Sequence, residues 1–141
     1  MEIKTFSISV STKGNCDIID ITDDVNTIIV NNKFNEGSAV IFVGGSTAGI
    51  TTIEYEPGLL KDYPKFFERI APVNVNYEHD NTWHDGNGHS HVRAAIQGAS
   101  LTIPFSNGRL LLGTWQQMIL VDFDNRSRKR EITVQLIGNK K

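Results

Sequence analysis

"HVRAAIQGASLTIPFSNGRLLLGTWQQMILVDFDNRSRKREITVQLIG", residues 91–138, decides the fold. It divides into the β-rich runs HVRAAIQG, SLTIPF, RLLLGTW, QQMILVDFD and REITVQLIG. SNG at 106–108 is a hairpin turn signal, and DNRSRKR at 124–130 reads as a second hairpin tip, basic and solvated. Short strands joined by tight turns pair antiparallel.

Upstream, Phe6, Ile8 and Val10 alternate with serines, the pattern of a half-buried strand. CDIIDI (16–21) is a second strand. Val25, Ile28 and Ile29 then change the period to that of a helix, with Thr22 as its cap and Asp23 and Asp24 in its first turn. The β-branched run SAVIFVGG (38–45) reads as a strand buried on both faces, and ITTIEYE (50–56) as another. Pro57 opens a helix whose apolar positions are Leu59, Leu60, Tyr63, Phe66, Phe67 and Ile70; Pro64 should kink or split it. Residues 79–91 read as a loop entering a strand. The expectation is a single compact α+β domain over residues 1–141, dominated by antiparallel strands with two α-helices.

A chain of 141 residues suits one domain. Its 39% hydrophobic and 21% charged residues belong to a globular chain, not a disordered one. A net charge of −2 argues against nucleic-acid binding. The lone Cys16 excludes an intrachain disulfide and a cysteine-rich zinc site. MEIKTFSISVSTKG has no apolar signal region, and AVIFV (39–43) falls far short of the roughly 20 residues that span a bilayer. The expectation is a soluble cytoplasmic protein with neither a membrane nor a nucleic acid as partner.

HDGNGHSHVRAA (84–95) carries three of the four histidines, and His79 lies just upstream. On a strand, His89 and His91 would share a face and form half of a divalent-metal site, with His79 returning as a third ligand. Asp80 and Asp85 can orient the rings or supply a carboxylate. Three protein ligands plus water make an open, catalytic kind of site. The competing reading is a solvated polar loop in which histidine is merely tolerated, and His84 is assigned to it. A cupin is excluded, because no glutamate ligand follows in VRAAIQG.

VGGSTAGITT (43–52) joins two strands, and its backbone N–H groups can form an anion nest around Gly45, with Ser46 and Thr47 adding donors. No lysine follows, so it is not a Walker A loop. A plain glycine-rich turn is the alternative. Arg93 and Arg109 suit phosphate, or surface or intersubunit ion pairs. Glu54 suits a general base, or a salt-bridged strand position. Asp80 is a second carboxylate candidate for catalysis. Trp115 can line a pocket or a subunit seam, or simply pack.

The stretches STAGITTIEYEPG, GNGHSHVRAAIQGASLTIPFSNGRLLLGTWQQ and VQLIG resemble the YjbQ-like family, known as secondary thiamine-phosphate synthases. The resemblance runs from the first strand to Gly138, and 86–117 is its most specific part. It implies compact α+β homotrimers with a divalent metal held by histidines in a cleft, and His79, His89 and His91 match those histidines. Zinc is the expected ion, with magnesium the alternative on a pyrophosphate substrate. Where many bacterial members carry a histidine this chain has Gly45, and their Asn-Glu pair is Ile53-Glu54, so the chain resembles the archaeal-type branch. The implied activity joins a pyrimidine pyrophosphate to a thiazole phosphate, releasing pyrophosphate. Two other readings stay open: a metal- or small-ligand-binding protein without catalysis, and histidines that seal a trimer interface.

Overall fold

A computed structural model describes all residues, 1–141. Eight strands and four helices follow one another as β1 (Glu2–Thr12), β2 (Asp17–Asp20), α1 (Thr22–Asn31), β3 (Phe34–Val43), β4 (Ala48–Glu54), α2 (Pro57–Ile70), α3 (Glu78–Trp83), α4 (Gly88–Gln97), β5 (Ser100–Ser106), β6 (Arg109–Leu110), β7 (Gln116–Asp122) and β8 (Arg128–Lys140). The strands form two antiparallel sheets, one in the order β1-β8-β3-β5-β6, the other β2-β7-β4. This is the expected α+β class, with four helices where the sequence suggested two.

The main core lies between the sheets and is closed by α1 through Val25 and Ile29. Ile41 and Val134, register partners on β3 and β8, both face it. A second core packs Phe67 of α2 and Ala94 of α4 onto Ile119 and Val121 of β7. Because side chains alternate along a strand, Met118 and Leu120 of the same strand point into the main core. β7 is therefore the strand buried on both faces. β3, given that role by its sequence, buries Ala39, Ile41 and Val43 but leaves Phe42 exposed.

Local structure differs from expectation at several places, among them RLLLGTW, of which only Arg109–Leu110 is strand, and residues 79–91, which hold most of α3. Thr22 is the first helical residue of α1 and not its cap: its backbone N–H donates to Asp20, while its hydroxyl accepts from the Met118 N–H at 2.8 Å. α2 opens at Pro57 as expected, and Glu56 caps it, accepting from the N–H groups of Gly58 and Leu59. α2 continues through Pro64 as one helix.

One further difference decides the site. HVRAAIQG is not a strand; residues 88–97 are helical. Helical spacing was present in the sequence, since the buried residues His89, Ser90, Arg93 and Ala94 recur three and four apart. The alternation of histidines concealed it. Gly98 ends α4 with a φ of 95°, and its carbonyl accepts from the Ile50 N–H, docking the helix end on β4.

Candidate functional site

α4 sends its two histidines in different directions. Residues two apart on an α-helix lie about 200° apart around its axis, not on one face. The shared-face pairing expected of His89 and His91 is therefore overturned by the helix. His91, half-buried, lines a cleft of about 390 Å³ together with Gly45, Ser46 and Ala48 of the β3–β4 connection and Ala94, Ala95, Gly98 and Ala99. His89, 3% exposed, lines a different cavity with Cys16, Glu68 and Arg93.

His79 joins His91, not His89. α3 places the His79 ring against the His91 ring, centroids 4.2 Å apart and tilted by 36°. The Nδ1 atom of His79 is buried without a hydrogen-bond partner. It lies 3.7 Å from a carboxylate oxygen of Asp80 and 3.7 Å from one of Asp85. Donor atoms of these three residues all fall within 4.8 Å of one another. Metal–ligand bonds of roughly 2.0–2.2 Å put tetrahedral donors about 3.4 Å apart, so a small inward movement of the side chains would seat one ion. One nitrogen and two carboxylate oxygens make a donor set that fits a divalent cation, zinc by its imidazole and magnesium by its carboxylates. The orphaned Nδ1 is the observation that carries this fit.

The Asp80 oxygen that faces His79 also accepts from the Gly88 N–H at 2.9 Å, so the first turn of α4 orients it. Gly88 itself packs on Tyr77, whose Cβ would stand 2.5 Å from a Cβ added at 88. Burial, and then the neighbouring His79 ring, push the His91 pKa below the ordinary histidine value of 6.5. His89 is lowered by burial and then by Arg93. His84, in the left-handed conformation at the end of α3, is exposed.

The remaining candidates separate. Gly45 and Ser46 line the His91 cleft, whereas Thr47 is buried behind it, donating to Asp124 at 3.0 Å and accepting from Arg130 at 2.7 Å. Arg93 is buried, held by the Ala71 carbonyl at 3.0 Å and by Glu68 at 2.8 Å. Glu54 and Trp115 share another cavity, with Trp115 73% exposed. Arg109 lies in a fourth, beside Lys33 and Lys141.

Sequence reasoning missed a buried polar network behind the cleft. Asp122, the last residue of β7, and Asp124, two residues beyond it, are wholly buried. Asp122 receives Arg130 at 2.7 and 2.8 Å and the Thr12 hydroxyl at 2.6 Å. Asp124 receives Arg128 at 2.9 Å, Thr47, and the Asn87 amide at 3.3 Å. Burial opposes ionisation of both, but these hydrogen bonds outweigh it and hold both carboxyls below their ordinary value. The hairpin tip read as solvated thus turns two of its arginines inward, and Arg126 and Lys129 remain exposed. The D-x-D of 122–124 was the available signal: two carboxylates on one face of a strand end, with basic residues following.

The family model described as "UPF0047 protein YjbQ-like" matches residues 6–139. A UPF0047 protein of Methanocaldococcus jannaschii is 35% identical over 136 residues, covering 96% of this chain and 95% of its own length. The UPF0047 protein YugU of Bacillus subtilis is 33% identical over 138 residues, covering 96% and 99%. Among solved structures, a YbjQ-like protein of unknown function from Sulfolobus solfataricus superposes with a TM-score of 0.87 at 31% identity, covering 98% of this chain and 100% of that one. A hypothetical protein from Aeropyrum pernix gives 0.89 at 30% identity, covering 96% and 99%. With nearly its whole length matched in sequence and in fold, the chain belongs to the YjbQ-like UPF0047 family.

Proposed function

We propose that the protein is a divalent-metal-dependent, phosphate-handling enzyme of the thiamine-phosphate synthase kind, joining a pyrimidine pyrophosphate to a thiazole phosphate with loss of pyrophosphate. The observation that carries the reading is the buried, unpartnered Nδ1 of His79 facing Asp80 and Asp85, with its ring against a histidine that lines the cleft. Displacement of pyrophosphate develops negative charge on the leaving group, and a site that accelerates it must gather that charge and fix the reacting groups in line. A bound divalent cation, zinc by the donor set, supplies positive charge there. His79, Asp80 and Asp85 would hold it. His91, neutral near pH 7 through its lowered pKa, offers the cleft an imidazole that hydrogen-bonds without adding charge. Gly45 and Ser46 line the same cleft.

Specific observations favour a second reading, a metal- and ligand-binding protein without catalysis. Glu54 and Trp115 share one cavity and Arg109 lies in another, so the His91 cleft is lined by none of them. Self-association as a homotrimer belongs to either reading; exposed Trp115, Leu111 and Ile96, at 73%, 58% and 55%, provide apolar surface for it.

The test is pyrophosphate release from the zinc- or magnesium-loaded protein supplied with both substrates, alongside equilibrium binding of each. Turnover on the order of 1–1000 per second, abolished in His79→Ala, supports the enzyme. Binding without turnover supports the second reading. Neither binding nor turnover contradicts both.

A further inference from the structure

Arg130 stands on β8 opposite Val10 of β1, and only 8% of it is exposed. A guanidinium carries five N–H donors in a fixed plane. Three are engaged: Nε to one oxygen of Asp122, and the two hydrogens of Nη2 to the other Asp122 oxygen and to the Thr47 hydroxyl. The two donors on Nη1 have no partner within the chain. Nη1 is not among the buried side-chain atoms that lack a partner, so it keeps accessible surface, and a guanidinium locked in this orientation by Asp122 and Thr47 holds these two free donors in a fixed direction on its third side.

That third side faces Gly45. A Cβ added at position 45 would stand 2.9 Å from Arg130 Nη1. An oxygen of a charged ligand sits about 2.7–2.9 Å from the arginine nitrogen that binds it, so a side chain at 45 would occupy the space of that oxygen. Glycine leaves the space empty, and Gly45 and its neighbour Ser46 line the His91 cleft. Arg128 and Arg130 are already paired with Asp124 and Asp122, so the network is close to neutral and rigid before any ligand arrives.

We propose that Arg130 Nη1, reached through the gap at Gly45 and flanked by Ser46, is an oxyanion subsite of the cleft that takes a phosphate group. The inference rests on the phosphate-handling reading above and names the residue that reads the phosphate. It also gives Gly45 a role: the absent side chain exposes the arginine. Planar, permanently charged arginine suits this task where lysine would not.

The experiment is titration of the zinc-loaded full chain with inorganic pyrophosphate by calorimetry, in the wild type and in Gly45→Ala, with zinc content and thermal unfolding checked in both. Loss of a charge-assisted hydrogen bond predicts binding roughly tenfold weaker or worse in Gly45→Ala, with zinc content unchanged. Equal affinity in the two proteins overturns the subsite and leaves the phosphate-handling reading standing. A zinc-loaded wild type that ignores millimolar pyrophosphate overturns both. Should Gly45→Ala fail to fold, the wild type alone decides by NMR: pyrophosphate must shift the Arg130 guanidinium resonances, and unmoved resonances with pyrophosphate bound overturn the subsite.

Discussion

The rings of His79 and His91 lie 4.2 Å apart, centroid to centroid, although one comes from α3 and the other from α4. This contact ties a six-residue helix with no buried residue to a ten-residue helix with five. Segments with little buried surface open locally at low free-energy cost. Amides of residues 78–83 should therefore exchange faster than those of 88–97, and zinc should slow the former selectively. Hydrogen-exchange mass spectrometry with and without zinc measures this; equal protection of α3 in both states would speak against an ion on His79.

The buried Asp122–Arg130 pair predicts both a mutational cost and an acid limit. Asp122→Asn leaves a buried guanidinium without its counter-charge, which costs about 3–5 kcal/mol by comparison with other buried pairs. Asp122 and Asp124 have folded pKa values below the ordinary 3.8, so their contribution is fully present above that value and is lost as pH falls through the folded values. Urea unfolding should show constant stability from these groups above about pH 5 and a decline below about pH 4. The decline should be shallower in Asp122→Asn. Identical acid profiles for the two proteins would contradict this account.

Gly37 and Gly138 face each other in register where β3 meets β8, beside a shift in the ladder. A Cβ on Gly138 would collide with the carbonyl oxygen of Glu36, a backbone atom that cannot step aside as a side-chain end can. Gly138→Ala should cost about 1–3 kcal/mol or more, as overpacking does. Gly113→Ala, where a Cβ meets only the Gln116 side chain at 3.5 Å, should cost far less. Thermal unfolding of the two variants compares them directly, and similar losses would show that the strand crossing is more compliant than described.

Most strands were legible because one-sided burial writes itself as alternation, as in Phe6, Ile8 and Val10, which lie half-buried between exposed serines. α4 was not, because two histidines at alternate positions imitate a strand while the burial runs at helical spacing. β7 was legible as a strand but not as the one covered on both sides, since that depends on α2 and α4 landing on its outer face. For the candidate site, the sequence singled out His79, His91, Asp80 and Asp85, and the fold brings their side chains together. The direction of His89 depended on the helix, and Arg130 was hidden in a run of basic residues whose neighbours at 126 and 129 do face solvent.

The central claim is an ion held by His79 with Asp80 and Asp85. The direct measurement is zinc content by elemental analysis, after zinc loading and desalting, of wild type, His79→Ala and His89→Ala. The account predicts close to one zinc per chain in the wild type and in His89→Ala, and none in His79→Ala. Zinc kept by His79→Ala and lost from His89→Ala would contradict it.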